Sequence, residues 1–285
     1  MQALLQEIAK RHNLTVYRVE IVTGGDISQC YKIETEKGAF FIKINDAGKY
    51  PGMMQTEAKG LKILAGTDTF RLPLIVAEGV YQQRQYLLLE WITPGKQTPD
   101  YWEQFAQKLA ALHSNTHEFF GLDFNNYIGR LHQVNSGRVH FSDFYSENRI
   151  LPLVKLLRDQ QHYGQKEAVV FDKLSGFMHT LIPEDPPALL HGDLWAGNYL
   201  TDGQGQPVLI DPAPYYGHRE TDIAMMQLFG GFPPQVFTSY HEQFPLIEGW
   251  QKRVALFQLY PLLVHAILFG CNYISQSLSI AKSYT

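Results

Sequence analysis

Asp193, Asn198 and Asp211 are three oxygen-bearing side chains whose types and spacing could do chemistry. The first two lie five residues apart in HGDLWAGNYL (191–200), a glycine-punctuated loop between the apolar runs PEDPPALL and QPVLIDPA. Asp211 follows 13 residues after Asn198, where a short hairpin should end. An Asp in such a loop can accept a proton from a hydroxyl nucleophile. An Asn and a second Asp supply oxygen ligands of the kind a hard cation such as Mg²⁺ takes. Any one of these residues alone reads as a turn or a cap. All three at this spacing read as a site for phosphoryl transfer to a hydroxyl.

That chemistry needs partners for a nucleotide, and the first ninety residues contain them. Lys43 ends the strand-like run AFFIKI (39–44), where its ammonium can reach phosphates, and Glu57 opens the next helix, where it can pair with Lys43. TGGDIS places Gly24, Gly25, Asp26, Ile27 and Ser28 in a turn whose backbone N–H groups can approach phosphate oxygens. Taken alone, the same turn is equally a plain hairpin connection. The linker Glu90, Trp91 and Ile92 offers backbone groups to an adenine edge. ATP and Mg²⁺ are the expected cofactors.

The elements that must position these residues fall into two groups. YRVEIV (17–22), QCYKIE (29–34), AFFIKI, LIVAEGV (74–80) and QYLLLEWI (85–92) are rich in β-branched and aromatic residues and separated by turn residues. TEAKGLKILAG (56–66) has helical spacing and ends on a glycine. After residue 92 the patterns become helical, beginning with a helix capped at Thr98 with Pro99 in its first turn. Further helical patterns cover roughly 142–160, 166–182, 218–229 and 251–270, with only YLT and PVLI between them as a short hairpin. The expected fold is α+β and bilobal, with a β-rich lobe over 1–92 that binds ATP phosphates. A mostly helical lobe over 93–285 would hold the catalytic loop, the metal and the substrate.

Bulk properties exclude several classes. The formal net charge is -4, which gives no electrostatic reason to bind nucleic acid or an anionic membrane. Cys30 and Cys271 are too few for a disulfide framework and suit a reducing cytoplasm. The first residues, MQALLQEIAKRHN, lack the long apolar core and cleavage site of a signal peptide. The longest apolar stretch, 254–270, is broken by Gln258, Pro261 and His265 and reads as a buried helix rather than a membrane span. Cys30 reads as a strand residue facing the core of its lobe, with redox sensitivity as the alternative.

HGDLWAGN, DPAPYYGHRETDIAM, FGLDFNNYIG with the Gln-Val-Asn that follows, and LYPLLVHAILFG together resemble the fructosamine kinase (ketosamine-3-kinase) family. That family is a branch of the protein-kinase-like fold, related to aminoglycoside and choline kinases. The resemblance runs from about residue 17 to residue 280. It implies that Asp193 is the proton acceptor, that Asn198 and Asp211 bind metal, and that Lys43 with Glu57 positions ATP over an adenine hinge at Glu90–Ile92. It implies that Trp195 packs against a sugar-amine substrate; the alternative for Trp195 is an aromatic that plugs the core. Asp222 is expected to brace the catalytic loop from a helix, and His218 and Glu220 have no assigned role.

The implied activity is ATP-dependent phosphorylation of the 3-hydroxyl of a ketosamine, a fructosamine or ribulosamine adduct, in deglycation repair. Pro214, Cys271 and Asn272 depart from the family pattern, as does the absence of a Trp after Asn135. These departures bear on fine substrate preference. Two rivals are a kinase for another small alcohol, such as an amino sugar or a choline-like compound, and a catalytically inactive nucleotide-binding regulator. Trp195 and the YYGHRE motif, by that resemblance, weigh against the first. Retention of Lys43, Glu57, Asp193, Asn198 and Asp211 weighs against the second.

Overall fold

The computed structural model describes residues 1–23 and 28–285. Five strands form one antiparallel sheet: β1 (Val16–Val22), β2 (Gln29–Thr35), β3 (Gly38–Asp46), β4 (Ile75–Tyr81) and β5 (Arg84–Glu90), in the order β1-β2-β3-β5-β4. All five match the runs expected from sequence to within two residues. Helix α1 (Gln2–Arg11) precedes the sheet, and α2 (Met53–Ala65) is inserted between β3 and β4.

Strand β5 is buried on both faces, and this decides how the sheet is held. Tyr86 and Leu88 pack with Ile33, Ile42 and Ile44 under Leu5 and Ile8 of α1. Leu87 and Leu89 face the other way, against Met54, Ala58, Leu61 and Leu64 of α2. That second cluster does not stop at the end of the sheet. It continues into Phe105 and Leu109 of α3 (Tyr101–His113) and on to Leu189, Leu194 and Leu209. Each fully buried leucine contributes about 1.5–3 kcal/mol. A shared apolar core therefore ties the β3–α2 region to the loop that follows Leu190, and fixes Lys43 relative to Asp193.

The helical part departs from the sequence expectation in its start, its small strands and its helix count. Helix α3 begins at Tyr101, after Asp100, instead of being capped at Thr98; Thr98 accepts the Tyr101 N–H through its carbonyl in a preceding turn. Four small strands are added to the expected hairpin of β9 (Tyr199–Thr201) and β10 (Pro207–Leu209). They are β6 (Asn126–Ile128) with β7 (Leu131–Gln133), and β8 (Ala188–Leu190) with β11 (Tyr215–Gly217). Without a turn signal such as the DGQG between β9 and β10, three-residue strands carry too short an alternation to be legible in a sequence.

The 142–160 helix is split into α4 (Phe141–Phe144), a wide π-turn over Tyr145–Ile150, and α5 (Leu151–Asp159). Pro152, with no N–H to donate, lies just past the wide turn. Then come α6 (Gln165–Leu181), α7 (Glu220–Leu228), α8 (Pro234–Gln243), α9 (Trp250–Phe269) and α10 (Asn272–Ser283).

Helix α9 is the one helix, among the described residues, long and apolar enough to cross a membrane. Here it runs through the helical core, with Leu256, Phe257, Leu259, Tyr260, Leu262 and Leu263 buried. Pro261 lies inside it, so the Phe257 carbonyl loses its usual donor. The Tyr145 hydroxyl, delivered by the π-turn, donates to the Leu256 carbonyl at 2.8 Å and the Phe257 carbonyl at 3.2 Å. Two local irregularities thus satisfy each other.

Candidate active site

The loop after β8 is shaped by what lies beneath it. Asp222, in the first turn of α7, accepts the backbone N–H of His191 at 2.8 Å and of Gly192 at 3.0 Å. Its Oδ2 also meets His113 Nε2 at 3.3 Å. Gly192 has φ +82°, and a side chain there would run into the Ala213 carbonyl. His191 is fully buried; its Nε2 reaches the Ile210 carbonyl at 3.0 Å and its Nδ1 accepts the Asp193 N–H at 3.3 Å. Burial holds its pKa below the ordinary histidine range, as suits a neutral ring bonded on both sides. The bracing role expected for Asp222 is present, and His191 ties the Asp193 loop to the strand that delivers Asp211.

Asp193 and Asn198 meet directly. The Asn198 amide nitrogen donates to the Asp193 carbonyl at 2.8 Å and to Asp193 Oδ2 at 3.0 Å. Both bonds use the nitrogen, which leaves the amide oxygen to a cation. Burial raises the Asp193 pKa to about 7; the Asn198 bond opposes the rise, and the negative charges of Asp211 and Asp222 add to it. Asp211 is in the left-handed region at φ 54°, a conformation that Asp tolerates better than most residues.

Lys43 joins the two halves of the site. Its Nζ lies 2.9 Å from Glu57 Oε1 and 2.6 Å from Asp211 Oδ1, with the lysine side chain buried. Those two carboxylates hold the ammonium charged well above the usual lysine range, against the opposing effect of burial. The free Asn198 amide oxygen and the Asp211 carboxylate fit the oxygen donors a Mg²⁺ ion would take, and would leave its other positions open. Among the described residues no cluster of three or more His, Cys, Asp or Glu side chains forms a closed metal cage.

The other expected residues divide. Ser28 lines the same cleft and its hydroxyl accepts a bond from Asn45 at 3.2 Å. Gly24, Gly25, Asp26 and Ile27, expected to meet phosphates, lie outside the described residues. The Glu90 side chain is bound to Arg71 at 2.5 Å and to the Leu74 N–H at 3.2 Å; Ile92 is buried, and Lys32 sits 5.4 Å from the Trp91 ring. Trp195 is 38% exposed at the cleft, so it does not plug the core. Its indole lies against Gly197, where a side chain would collide with the ring.

Cys30 is buried on the cleft wall, cross-strand from Lys43, and burial raises its thiol to about 11. So little thiolate at neutral pH argues against a redox-reactive cysteine.

A buried polar network behind Asp211 has no counterpart in the sequence reading. Gln133 donates to the Ala213 carbonyl at 3.1 Å and to Asn126 Oδ1 at 2.8 Å, and Asn126 donates to the Pro214 carbonyl at 2.9 Å. Tyr260 donates to Gln133 at 2.6 Å, and Arg149 donates to Asn135 at 2.7 Å while its guanidinium lies over the adjoining rings of Phe144 and Tyr215. The network pins the two residues that follow Pro212, and with them the turn carrying Asp211. FNNYIG and the later Gln-Val-Asn were visible as a pattern, but nothing in spacing alone tied them to that turn.

Glu220 and His218 are structural. Glu220 forms a buried fork with Arg253 at 2.6 and 2.9 Å, and His218 stacks on Phe257 with centroids 5.0 Å apart. Burial, with Arg253 and Arg219 nearby, lowers the His218 pKa to about 3. The unfolded chain binds a proton near pH 6.5 that the folded chain refuses until far lower pH. This contribution is therefore complete above pH 6.5 and is lost as pH falls toward 3. At pH 5 the loss is about 2 kcal/mol. His218→Gln escapes it, so its destabilisation should be about 2 kcal/mol smaller at pH 5 than at pH 7, since other titrating groups act alike in both proteins. Urea unfolding of both proteins at the two pH values measures this double difference; a difference near zero contradicts a neutral, buried His218.

Comparison with known proteins gives one consistent answer. The fructosamine kinase family profile matches residues 1–284. The chain is 40% identical over 257 residues to a probable ketoamine kinase of Enterococcus faecium, covering 90% of this chain and 91% of that one. It is 34% identical over 277 residues to the chloroplastic protein-ribulosamine 3-kinase of Arabidopsis thaliana, covering 94% and 83%. A Thermobifida fusca crystal structure assigned as a fructosamine-3-kinase superposes with a TM-score of 0.87 at 33% identity, covering 98% of each chain. An aminoglycoside phosphotransferase complexed with ADP and hygromycin B superposes at 0.66 with 15% identity, over 99% and 98% of the chains, a likeness of kinase-like fold alone. With the Asp193–Asn198 loop facing a Lys43–Glu57 pair across one cleft, and with these relatives over nearly its full length, the chain belongs to the fructosamine kinase family.

Proposed function

We propose that this chain is an ATP-dependent kinase acting on the 3-hydroxyl of ketosamines, with Asp193 as proton acceptor and Asn198 and Asp211 as Mg²⁺ ligands. The observation that carries the reading is the meeting of Asp193, Asn198, Asp211 and Lys43 in one cleft of a fructosamine kinase family member. A sugar hydroxyl is too weak an acid to ionise beforehand. Asp193 orients it and takes its proton late, and a carboxylate made more basic by burial suits that task. Lys43, fixed by Glu57, presents a permanent positive charge to the phosphates.

The chemistry Mg²⁺ supplies when bound is neutralisation of charge on the transferring phosphate oxygens. Ser28, on the cleft wall, stands toward the phosphates, and Glu90–Ile92 contribute backbone to adenine. Two free cysteines support a reducing compartment, for which the cytoplasm is proposed; the plant relatives are designated chloroplastic.

Phosphorylation at the 3-position makes the adduct prone to break down and release the free amine, which is the basis for a role in deglycation. The direct test is ADP release over a panel of fructosamines, ribulosamines, aminoglycosides and choline. Turnover confined to ketosamines supports the reading. Turnover confined to aminoglycosides or choline overturns the substrate and keeps the kinase. ATP binding with no turnover on any acceptor favours an inactive regulator.

Trp195 gives a narrower prediction. A flat, partly exposed indole beside the proton acceptor suits the CH face of a sugar. Trp195→Ala should lower kcat/KM for ketosamines roughly 10-fold or more and leave KM for ATP within about twofold. An equal rise in both KM values would place Trp195 in lobe closure instead.

A further inference from the structure

Past Asp193 the cleft changes character. Trp195 and Phe269 line the mouth at 38% and 49% exposed, and Phe229, 39% exposed, packs beside them against Trp195 and His265. His265 links them: the Trp195–Phe229, Phe229–His265 and His265–Phe269 centroids lie 6.3, 4.8 and 5.4 Å apart. The carboxylates that line the cleft are Glu57, Asp193, Asp211 and Asp222, all at the phosphate end or under the loop. The aromatic arm has none among the described residues, so it is poorly suited to a polycationic acceptor.

The charged residue of that arm is Arg130, in the turn between β6 and β7. It is exposed, lines the cleft, and donates through Nη2 to the Leu268 carbonyl at the end of α9, at 3.1 Å. Among the described residues no carboxylate pairs with it. Lys49 lies beside it along a shallow groove and adds an ammonium at the rim. The carbonyl bond aims the guanidinium, and its remaining N–H groups form the fork that recognises a carboxylate.

We propose that the aromatic arm binds the amine part of the ketosamine and that Arg130 takes a carboxylate on it. The favoured acceptor is then a glycated free amino acid, ahead of a ketosamine on a lysine inside a protein chain. This rests on the ketosamine reading above. The sugar lies against Trp195 with its hydroxyl at Asp193, the carbon skeleton of the amine lies along His265 and Phe269, and the carboxylate lies at Arg130.

The experiment compares kcat/KM for two ketosamines that differ only in a free carboxylate against its carboxamide, using wild type, Arg130→Ala and Arg130→Lys. Wild type should prefer the acid by roughly 10-fold or more, as expected for a charge-assisted pair. In Arg130→Ala that ratio should collapse toward one, and in Arg130→Lys it should be partly kept, with KM for ATP unchanged in both. Equal use of acid and amide by wild type overturns the proposal, as does an Arg130→Ala variant that retains the full ratio. If wild type phosphorylates neither ketosamine but accepts another alcohol, the ketosamine reading falls and this inference falls with it.

Discussion

Asp193→Asn should lower kcat by about 10²–10⁴-fold, equivalent to roughly 3–5 kcal/mol of transition-state stabilisation. The substitution keeps the shape of the side chain but removes the proton acceptor. Its Asn198 partner would face an amide instead of a carboxylate, while the bonds from Asp222 that hold the loop are untouched. KM for ATP and the thermal midpoint should therefore change little. Steady-state kinetics with a ketosamine, beside a melting curve, measure both. Near-full turnover in the variant would remove Asp193 from the chemistry.

The second large effect is expected at Asp211. Asp211→Asn preserves a residue type that tolerates the left-handed backbone at φ 54° and deletes only the charge. Loss of a partner one shell outside a metal typically costs 10–100-fold in metal affinity or activity. Loss of the charged ligand itself should lower turnover by more than roughly 100-fold and raise the Mg²⁺ concentration needed for what remains. Lys43 would also lose its ion pair with Asp211 at 2.6 Å, though an amide oxygen can still accept from it, and would keep its ion pair with Glu57 at 2.9 Å. A Mg²⁺ titration of both proteins at saturating ATP reads the shift. An unchanged Mg²⁺ requirement would assign the metal to other residues.

Much of the site was legible in the sequence because its chemistry is local. Asp193 and Asn198 share one loop, so five residues of spacing carry their relation. Lys43 and Glu57 sit on consecutive elements, strand then helix, and the structure joins them at 2.9 Å. The direct Lys43–Asp211 contact links residues far apart in the chain, and no pattern in the sequence pointed to it.

What stayed hidden is tertiary. The Gln133–Ala213, Asn126–Pro214 and Tyr260–Gln133 bonds span long stretches of chain, and their residues read as ordinary polar or core positions. Arg130 and the Phe229–His265–Phe269 wall come from a hairpin, a helix end and a second helix, with no shared period. On the fold side, the strands of the sheet and the long helices carried clear patterns. The β6–β7 and β8–β11 strands did not, nor did α8 and α10. The π-turn before Pro152 became intelligible only once Tyr145 was seen to supply the donor that Pro261 removes from α9.

The central claim is transfer of a phosphoryl group from ATP to the third oxygen of a ketosamine sugar. Its most direct test is phosphorus–proton correlation NMR of the product formed by the wild-type chain from ATP, Mg²⁺ and a fructosamine. A single phosphomonoester is expected, its phosphorus coupled to the proton on the third carbon, with one ADP released per product. A phosphomonoester coupled to protons on any other carbon, or ADP release with no phosphorylated sugar, would contradict it.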